Sequence, residues 1–581
     1  MRSVRLLLIL GLLLAPRRAG ADPPPVSARY VILLIADGWS YKIIEATNRY
    51  NGSAPAYQSW THYPMATFPL GGSYVSDSAW SDFAYVTSGY TDSAAAATAL
   101  YTGAKTANGR ISVNGNATDR LKAITEKARE QDKAVGAVTS VQISHATPGA
   151  WEAHNDARGN GYAIADEGLW GDPNTTGPAT ENKHGGGHGP TLPPLDVLIG
   201  GGHPAWNSGY VNTAIRDKLA AESGAPGAFL LVERVAGAAD GGSRLLAAAA
   251  TDETTRLAGL FGGSGGNIAY RLADGSGHDP ENPTLAEMTQ AALTVLARDV
   301  QGFLLLVEGG AVDWAAHNNR LDQAIGEMNG FDAAVQATIA WVEAADTPTN
   351  WENTLVIVTG DHETGYLTAG PGVFAHVPLT ATIDAATLAL EKTVSGASRR
   401  ASWEDVANPG VIDSSERVYW YWNSGNHANS LIPLYAKGVG AELFAVYATG
   451  ADSVRGAYVD NTDVFKVMDA ALPMPPAAVT GAAIALGSGD VLLQWPAVRV
   501  DVSGQPVTAS AYHIYRGDAP SFRPGPATLL HSTAGLTHSD PGLPAAGSAR
   551  YYTLLAASGP NSIGPAGPML GVFSFPLTPG G

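Results

Sequence analysis

Six unbroken apolar runs divide the first two thirds of the chain: Tyr30–Ala36, Ala134–Thr139, Val197–Ile199, Ala228–Val232, Phe303–Val307 and Leu355–Thr359. Continuous apolarity, without polar alternation, is the pattern of a strand covered on both faces. Between the runs lie Ala- and Leu-rich stretches with helical spacing, notably 285–299 and 319–343. In the first of these, Leu285, Met288, Ala292 and Leu293 recur at helical intervals. Alternation of this kind predicts an α/β fold: a mainly parallel central sheet flanked by helices on both faces. Ligands of such sheets collect beyond the carboxyl ends of the strands. Asp37, Glu308 and Asp361 stand there.

The pattern changes past Leu472-Pro-Met-Pro-Pro-Ala-Ala478, a stiff connector. Beyond it Val491–Trp495, Ala511–Tyr515 and Tyr551–Ala556 are short strand candidates separated by Gly, Pro and Ser turns. They predict a small β-sandwich over 475–581, similar to a fibronectin type III module. At the other end, Arg2 and Arg5 precede the apolar run Leu6–Ala15, and Ala19-Gly20-Ala21 offers small residues for cleavage. Residues 1–21 therefore read as an export signal, which places the mature protein outside the cell or in the periplasm. That run is too short to predict a membrane span. The expected organisation is leader (1–21), main α/β domain (22–474) and β-sandwich (475–581). The Gly-rich stretch Gly159–Pro190, with His184 and His188, reads as a surface excursion.

Hydrophobic residues make up 45% of the 581 and charged ones only 15%, which excludes bulk disorder. The 53 acidic against 35 basic residues give a net charge of −18 and argue against nucleic acid as a dedicated partner. A small anionic substrate remains compatible, because bound metal ions reverse the local sign. There are no cysteines, so any metal centre must be built from His, Asp, Glu and hydroxyl groups.

Six polar segments carry candidate chemistry, four of them behind apolar runs. Asp37 emerges from the first strand into Gly38, as a hard-cation ligand or a helix cap. Ser93 opens the small-residue run Ser93-Ala-Ala-Ala-Ala-Thr-Ala-Leu, which suits a closely packed helix. A helix N-terminus favours an anion there, but for the segment alone a serine N-cap is the favoured reading. His145 and Thr147 precede Arg158, whose planar fork matches two phosphate oxygens. Glu308 ends a strand, and Asp313 and His317, four apart, share one helix face. Asp361-His362 makes a compact oxygen–nitrogen pair, and His427 adds an imidazole.

In this order the six segments resemble the alkaline phosphatase family, from about Tyr30 to Val467. The strongest blocks are TDSAAAATAL with TGAKTANG, VEGGAVDWAAH and VTGDHETG. The resemblance implies hydrolysis of small phosphate monoesters with two zinc ions and one magnesium. It carries Ser93 over as the phosphorylated nucleophile. It gives Asp37, Asp361 and His362 to the zinc that activates this serine, with Ser93 itself completing the set. Asp313, His317 and His427 go to the zinc of the leaving group. Asp37, Thr147 and Glu308 go to magnesium, and Arg158 becomes the phosphate clamp. His145 and Trp314 stand where some bacterial members carry Asp and Lys, so the surroundings of magnesium and phosphate differ. A phosphodiesterase or sulfatase on the same scaffold is the alternative enzyme. A catalytically silent surface-binding protein is the alternative of another class, and the intact ligand set weighs against it. A homodimer and a monomer are both compatible with the sequence.

Overall fold

The computed structural model describes residues 26–171, 193–263, 268, 271–345, 347, 349–369, 400–402, 419–487, 489–545 and 548–573. The leader expected at 1–21 and the pair His184 and His188 lie outside these residues. Each of the six apolar runs forms a strand, and two further strands lie among them. In chain order they are β1 (Tyr30–Ala36), β2 (Thr61–Ala66), β3 (Ala134–Gln142) and β4 (Val197–Gly201). After these come β5 (Leu230–Glu233), β6 (Leu257–Leu260), β7 (Phe303–Gly309) and β8 (Thr354–Thr359).

They join Ile432–Gly438 and the hairpin Gly450–Asp452/Gly456–Asp460 in one eleven-stranded sheet. Its order is hairpin, β2, Ile432–Gly438, β8, β1, β7, β3, β4, β6, β5. From β8 to β5 every pairing is parallel, whereas Ile432–Gly438 runs antiparallel to both its neighbours. Every residue of β1, β3, β4, β6, β7 and β8 is buried, so both faces of the sheet are covered. The helix Leu285–Leu296, opened by a Thr284/Glu287 capping box, packs on β3 and β4. The helix Leu321–Val342 packs on β1 and β7.

Register sets the level at which the central strands end. Ile35 lies opposite both Glu308 and Thr359, and Thr139 lies opposite Glu308. The carboxyl ends of β8, β1, β7 and β3 thus form one ledge at the middle of the sheet.

One expectation fails. Gly161–Trp170 is a helix with Asp166 and Glu167 fully buried, so this part of the Gly-rich stretch is core and not a surface excursion. Its glycines serve close packing: a Cβ on Gly168 would stand 2.5 Å from the Glu152 carboxylate.

Beyond the connector, the strands Ala483–Leu486, Asp490–Gln494 and Thr537–Pro541 form a three-stranded sheet. Leu529–Thr533, Ala511–Gly517, Ala549–Gly559, Ser562–Ile563 and Leu570–Phe573 form a second. Leu493, Trp495, Tyr512, Ile514 and Tyr552 fill a core of their own in this region. The sheet pair is fastened to the rear of the main sheet. Val300 packs with Tyr515, Leu555 and Ile563. Gln301 Nε2 donates to Gly564 O, and Asn561 Nδ2 donates to Ser27 O and Glu352 O. Ser27, Gln301 and Glu352 all lie just before the amino ends of central strands. Among the described residues no helix is long and apolar enough to cross a membrane.

Candidate active site and metal centre

Four of the six polar segments begin where a strand of the ledge stops. Asp37 follows β1, and Gly38 then turns the chain at φ +75°. A Cβ at Gly38 would stand 2.7 Å from the Asp313 Cα, so only glycine lets these two segments meet. The Gly38 N–H donates to Asp361 Oδ1 at 3.1 Å. Glu308 lies within the end of β7, and the short helix Ala311–His317 carries Asp313 and His317. Asp361 and His362 follow β8. Beyond β3, His145 precedes the helix Ala146–Glu152, which carries Thr147. His427 arrives on the two-residue strand His427–Ala428, paired antiparallel with Glu363–Thr364.

Ser93 is the first residue of the helix Ser93–Thr102, and the N-cap is Asp92, whose side chain accepts from the Ala95 N–H at 2.9 Å. The N-cap reading of Ser93 is therefore wrong. Its hydroxyl has no capping duty and lies 3.2 Å from His362 Nε2. Residues 93–101 are all buried, and the run of alanines lets this helix pack closely on the helix Ala146–Glu152.

Three donor groups converge around Ser93: Asp313, His317 and His427; Asp37, Asp361 and His362; and Asp37, His145 and Glu308. Within each, the ligand atoms lie within 4.8 Å of one another. Asp37 belongs to two groups. Thr147 Oγ1 reaches Asp37 Oδ2 at 3.4 Å and joins the third group. The sequence placed His145 outside the ligand set; the structure adds its ring nitrogen to what reads as an all-oxygen site.

Backbone carbonyls orient two of the imidazoles. His317 Nδ1 donates to Gly425 O at 2.8 Å and His427 Nδ1 to Thr91 O at 2.7 Å. A carbonyl only accepts, so each ring carries its proton on Nδ1 and turns a bare Nε2 inward. The two Nε2 atoms face each other at 3.0 Å. Two lone pairs at that distance repel unless a cation lies between them. Asp37 Oδ1, Asp361 Oδ2 and Glu308 Oε1 are likewise buried without a hydrogen-bond partner. Divalent ions fit this donor set of carboxylate oxygens and imidazole nitrogens.

The electrostatics agree. Burial first, then the carboxylates of Asp361, Asp313 and Glu308, push Asp37 well above the usual range. Burial raises Glu308 to about 8 and Asp361 to about 7. His362 is held well below its ordinary value by burial and by His427, His317 and Arg158. His145 falls to about 3, through burial and Arg158. Mutually repelling acids and suppressed imidazoles are what a cluster of ligands shows when its positive charge must come from bound ions.

Above the donor groups opens a cleft of about 390 Å³ lined by Tyr90, Ser93, His145, Arg158, Trp314 and His317, among others. Arg158 donates from Nη1 to Asp92 Oδ2 at 3.0 Å and from Nη2 to His145 Nε2 at 3.3 Å. Asp92 Oδ2 also accepts from the Gly109 N–H at 2.9 Å. Asp92 thus caps the Ser93 helix and aims Arg158. Sequence reasoning missed it, although an Asx residue before an alanine run is an N-cap signal. It also missed Thr364, which donates to Asp313 Oδ1 at 2.6 Å, and Thr139, which donates to Glu308 Oε2. Strand threonines carry no such signal. Trp314 lies beside His145, ring centroids 5.9 Å apart at 82°.

The alkaline phosphatase family model matches residues 28–474. Alkaline phosphatase 4 of Bacillus subtilis is 31% identical over 344 residues, which are 59% of this chain and 63% of that protein. The chain thus spans just under two thirds of that relative's length. The streptomycin-6-phosphate phosphatase of Streptomyces griseus is 30% identical, over 58% of this chain and 74% of that protein. In fold, the chain is similar to the TAB5 alkaline phosphatase, solved as a mutant with Mg bound in its M3 site. The identity is 22% and the TM-score 0.51, over 77% of this chain and 99% of that one. The Thermus thermophilus alkaline phosphatase gives 24% and 0.51, over 80% and 96%. With the family match covering most of its length, the chain belongs to the alkaline phosphatase family.

Proposed function

We propose that this chain hydrolyses phosphate monoesters through a phosphoserine at Ser93. The observation that carries the reading is the convergence of three donor groups on one buried serine, with bare Nε2 atoms and unpartnered carboxylate oxygens facing inward. Asp37, Asp361 and His362, with Ser93, would hold one zinc; Asp313, His317 and His427 a second; Asp37, Thr147 and Glu308 a magnesium. When bound, such ions neutralise phosphate charge and lower the barrier to making and breaking P–O bonds.

The protein's own groups do the rest. The Ser93 Oγ attacks phosphorus as the ester P–O bond breaks and the alcohol departs with a proton. Water then attacks the phosphoserine and returns the hydroxyl and free phosphate. The Ser93 helix directs its N-terminus at the anion, and Arg158 presents its fork to the oxygens that do not react. We read residues 1–21 as the leader of an exported protein and 475–581 as a fibronectin type III-like module.

Metal analysis with kinetics tests the core of this. We expect two zinc and one magnesium per chain, loss of monoester turnover in EDTA, and recovery with both metals. Full turnover by metal-free protein would sink the reading.

Arg158 separates monoester from diester chemistry. Arg158→Ala should weaken inhibition by orthophosphate and reduce kcat/KM for monoesters by about 1.5–3 kcal/mol, the worth of a charge-assisted pair. Diesters carry one charged oxygen fewer and should lose less. Lysine should restore only part, since a point charge lacks the planar fork. Equal losses for both esters, with phosphate inhibition unchanged, would show that Arg158 only supports the fold.

A further inference from the structure

We infer that Tyr90 is a specificity-determining residue of this site, and that the alcohol portion it selects is a planar aromatic ring. The inference rests on the monoesterase reading above and adds the substrate class.

The depth of the donor groups gives the direction in which an ester must lie. Asp37, Asp361 and His362 are fully buried next to Ser93, whereas the His317 side chain is 34% exposed. The Asp313–His317–His427 group is therefore the outer one. Attacking and leaving oxygens lie roughly in line across phosphorus. With Ser93 on the inner side, the alcohol leaves past the outer group, toward the mouth of the cleft.

That exit has aromatic walls. The Tyr90 ring meets the His427 ring edge-on, 5.7 Å between centroids at 62°. Trp314 follows Asp313 in sequence and lines the same cleft. Both side chains are half-buried. Among the described residues, no hydrogen bond engages the Tyr90 hydroxyl or the Trp314 Nε1. Each presents an apolar face with a free polar tip, the form that binds flat rings with a polar substituent. A phosphate fills only a small part of the 390 Å³ cleft, which leaves room for the alcohol portion between these walls. Ring-on-ring contact favours a planar aromatic group over a saturated ring of equal size by about two- to tenfold.

The competing account is that Tyr90 merely steadies His427, in which case its loss affects all esters alike. The experiment compares phenyl phosphate with cyclohexyl phosphate as substrates, and phenylphosphonate with cyclohexylphosphonate as unreactive competitors. It uses the metal-loaded full chain and its Tyr90→Ala and Tyr90→Phe variants. For Tyr90→Ala the phenyl-to-cyclohexyl ratio of kcat/KM should fall about two- to tenfold relative to wild type. The ratio of inhibition constants should shift by the same factor. Tyr90→Phe should keep both ratios near wild type. Unchanged ratios in Tyr90→Ala, or equal losses for the two rings, overturn the inference. If the wild type hydrolyses neither ester, the monoesterase reading fails, and the phosphonate pair still decides the role of Tyr90 through binding alone.

Discussion

Ser93→Ala is expected to lower monoester turnover by roughly three orders of magnitude or more, while fold and metal content stay close to wild type. The separation follows from where the side chain stands. Asp92, not Ser93, caps the helix, so the substitution removes no cap. The Ser93 hydroxyl contacts His362, and its loss leaves Asp37, Asp361 and His362 in place as a candidate donor group. Alanine matches the four small residues that follow and suits a helix. Thermal unfolding and metal analysis should therefore barely move as turnover collapses. A variant that loses metal and stability together with activity would make Ser93 structural. One that keeps its turnover would remove the phosphoserine from the mechanism.

The second large effect should have opposite signs with and without metal. Asp37→Asn removes the one carboxylate shared by two donor groups, so metal-loaded protein should lose both activity and ions. Metal-free protein should gain stability. Burial and three neighbouring carboxylates raise the Asp37 carboxyl well above its unfolded value. A raised acid costs nothing below its unfolded pKa. The cost grows as pH climbs toward the folded pKa, because the unfolded chain ionises first. Glu308 at about 8 and Asp361 at about 7 share the cluster. Each tenfold gain in proton affinity on folding costs about 1.4 kcal/mol once the unfolded chain is ionised. At pH 8 in EDTA the variant should thus be more stable than wild type. The gap should close near pH 4. Unfolding curves at the two pH values, in EDTA and in zinc with magnesium, measure all four corners. A variant destabilised to the same extent in EDTA at both pH values would show that Asp37 supports the fold by hydrogen bonding alone.

Much of this was legible in the residues, for a physical reason. Runs such as YVILLIA and FLLLV have no polar face, which leaves a doubly covered strand as their natural place. Asp37, Glu308, Asp313, Asp361 and His362 stand directly behind such runs, so finding the strands nearly found the centre. What stayed hidden depended on distance in space. His145 joins Asp37 and Glu308 only because β3, paired with β7 as far as Thr139, runs on to Gln142 beside β4 before the chain turns. Asp92 and Ser93 are both good caps, and only the hydrogen bond to Ala95 separates them. The helix Gly161–Trp170 was masked by glycines that weaken its propensity and exist for the sake of a buried neighbour.

The attachment of the terminal sheet pair gives the molecule a front and a back. Its anchors at Ser27, Gln301 and Glu352 precede the strands whose other ends form the ledge. Seven-residue strands such as β1 and β7 put about 20 Å of packed sheet between anchor and cleft. Material coupled to the outer surface of the sheet pair, whether a resin, a fused label or a cell wall, would meet the back of the molecule. The mouth would then open toward bulk liquid. Immobilised that way, the protein should be limited by delivery of solute to the carrier and not by a blocked entrance.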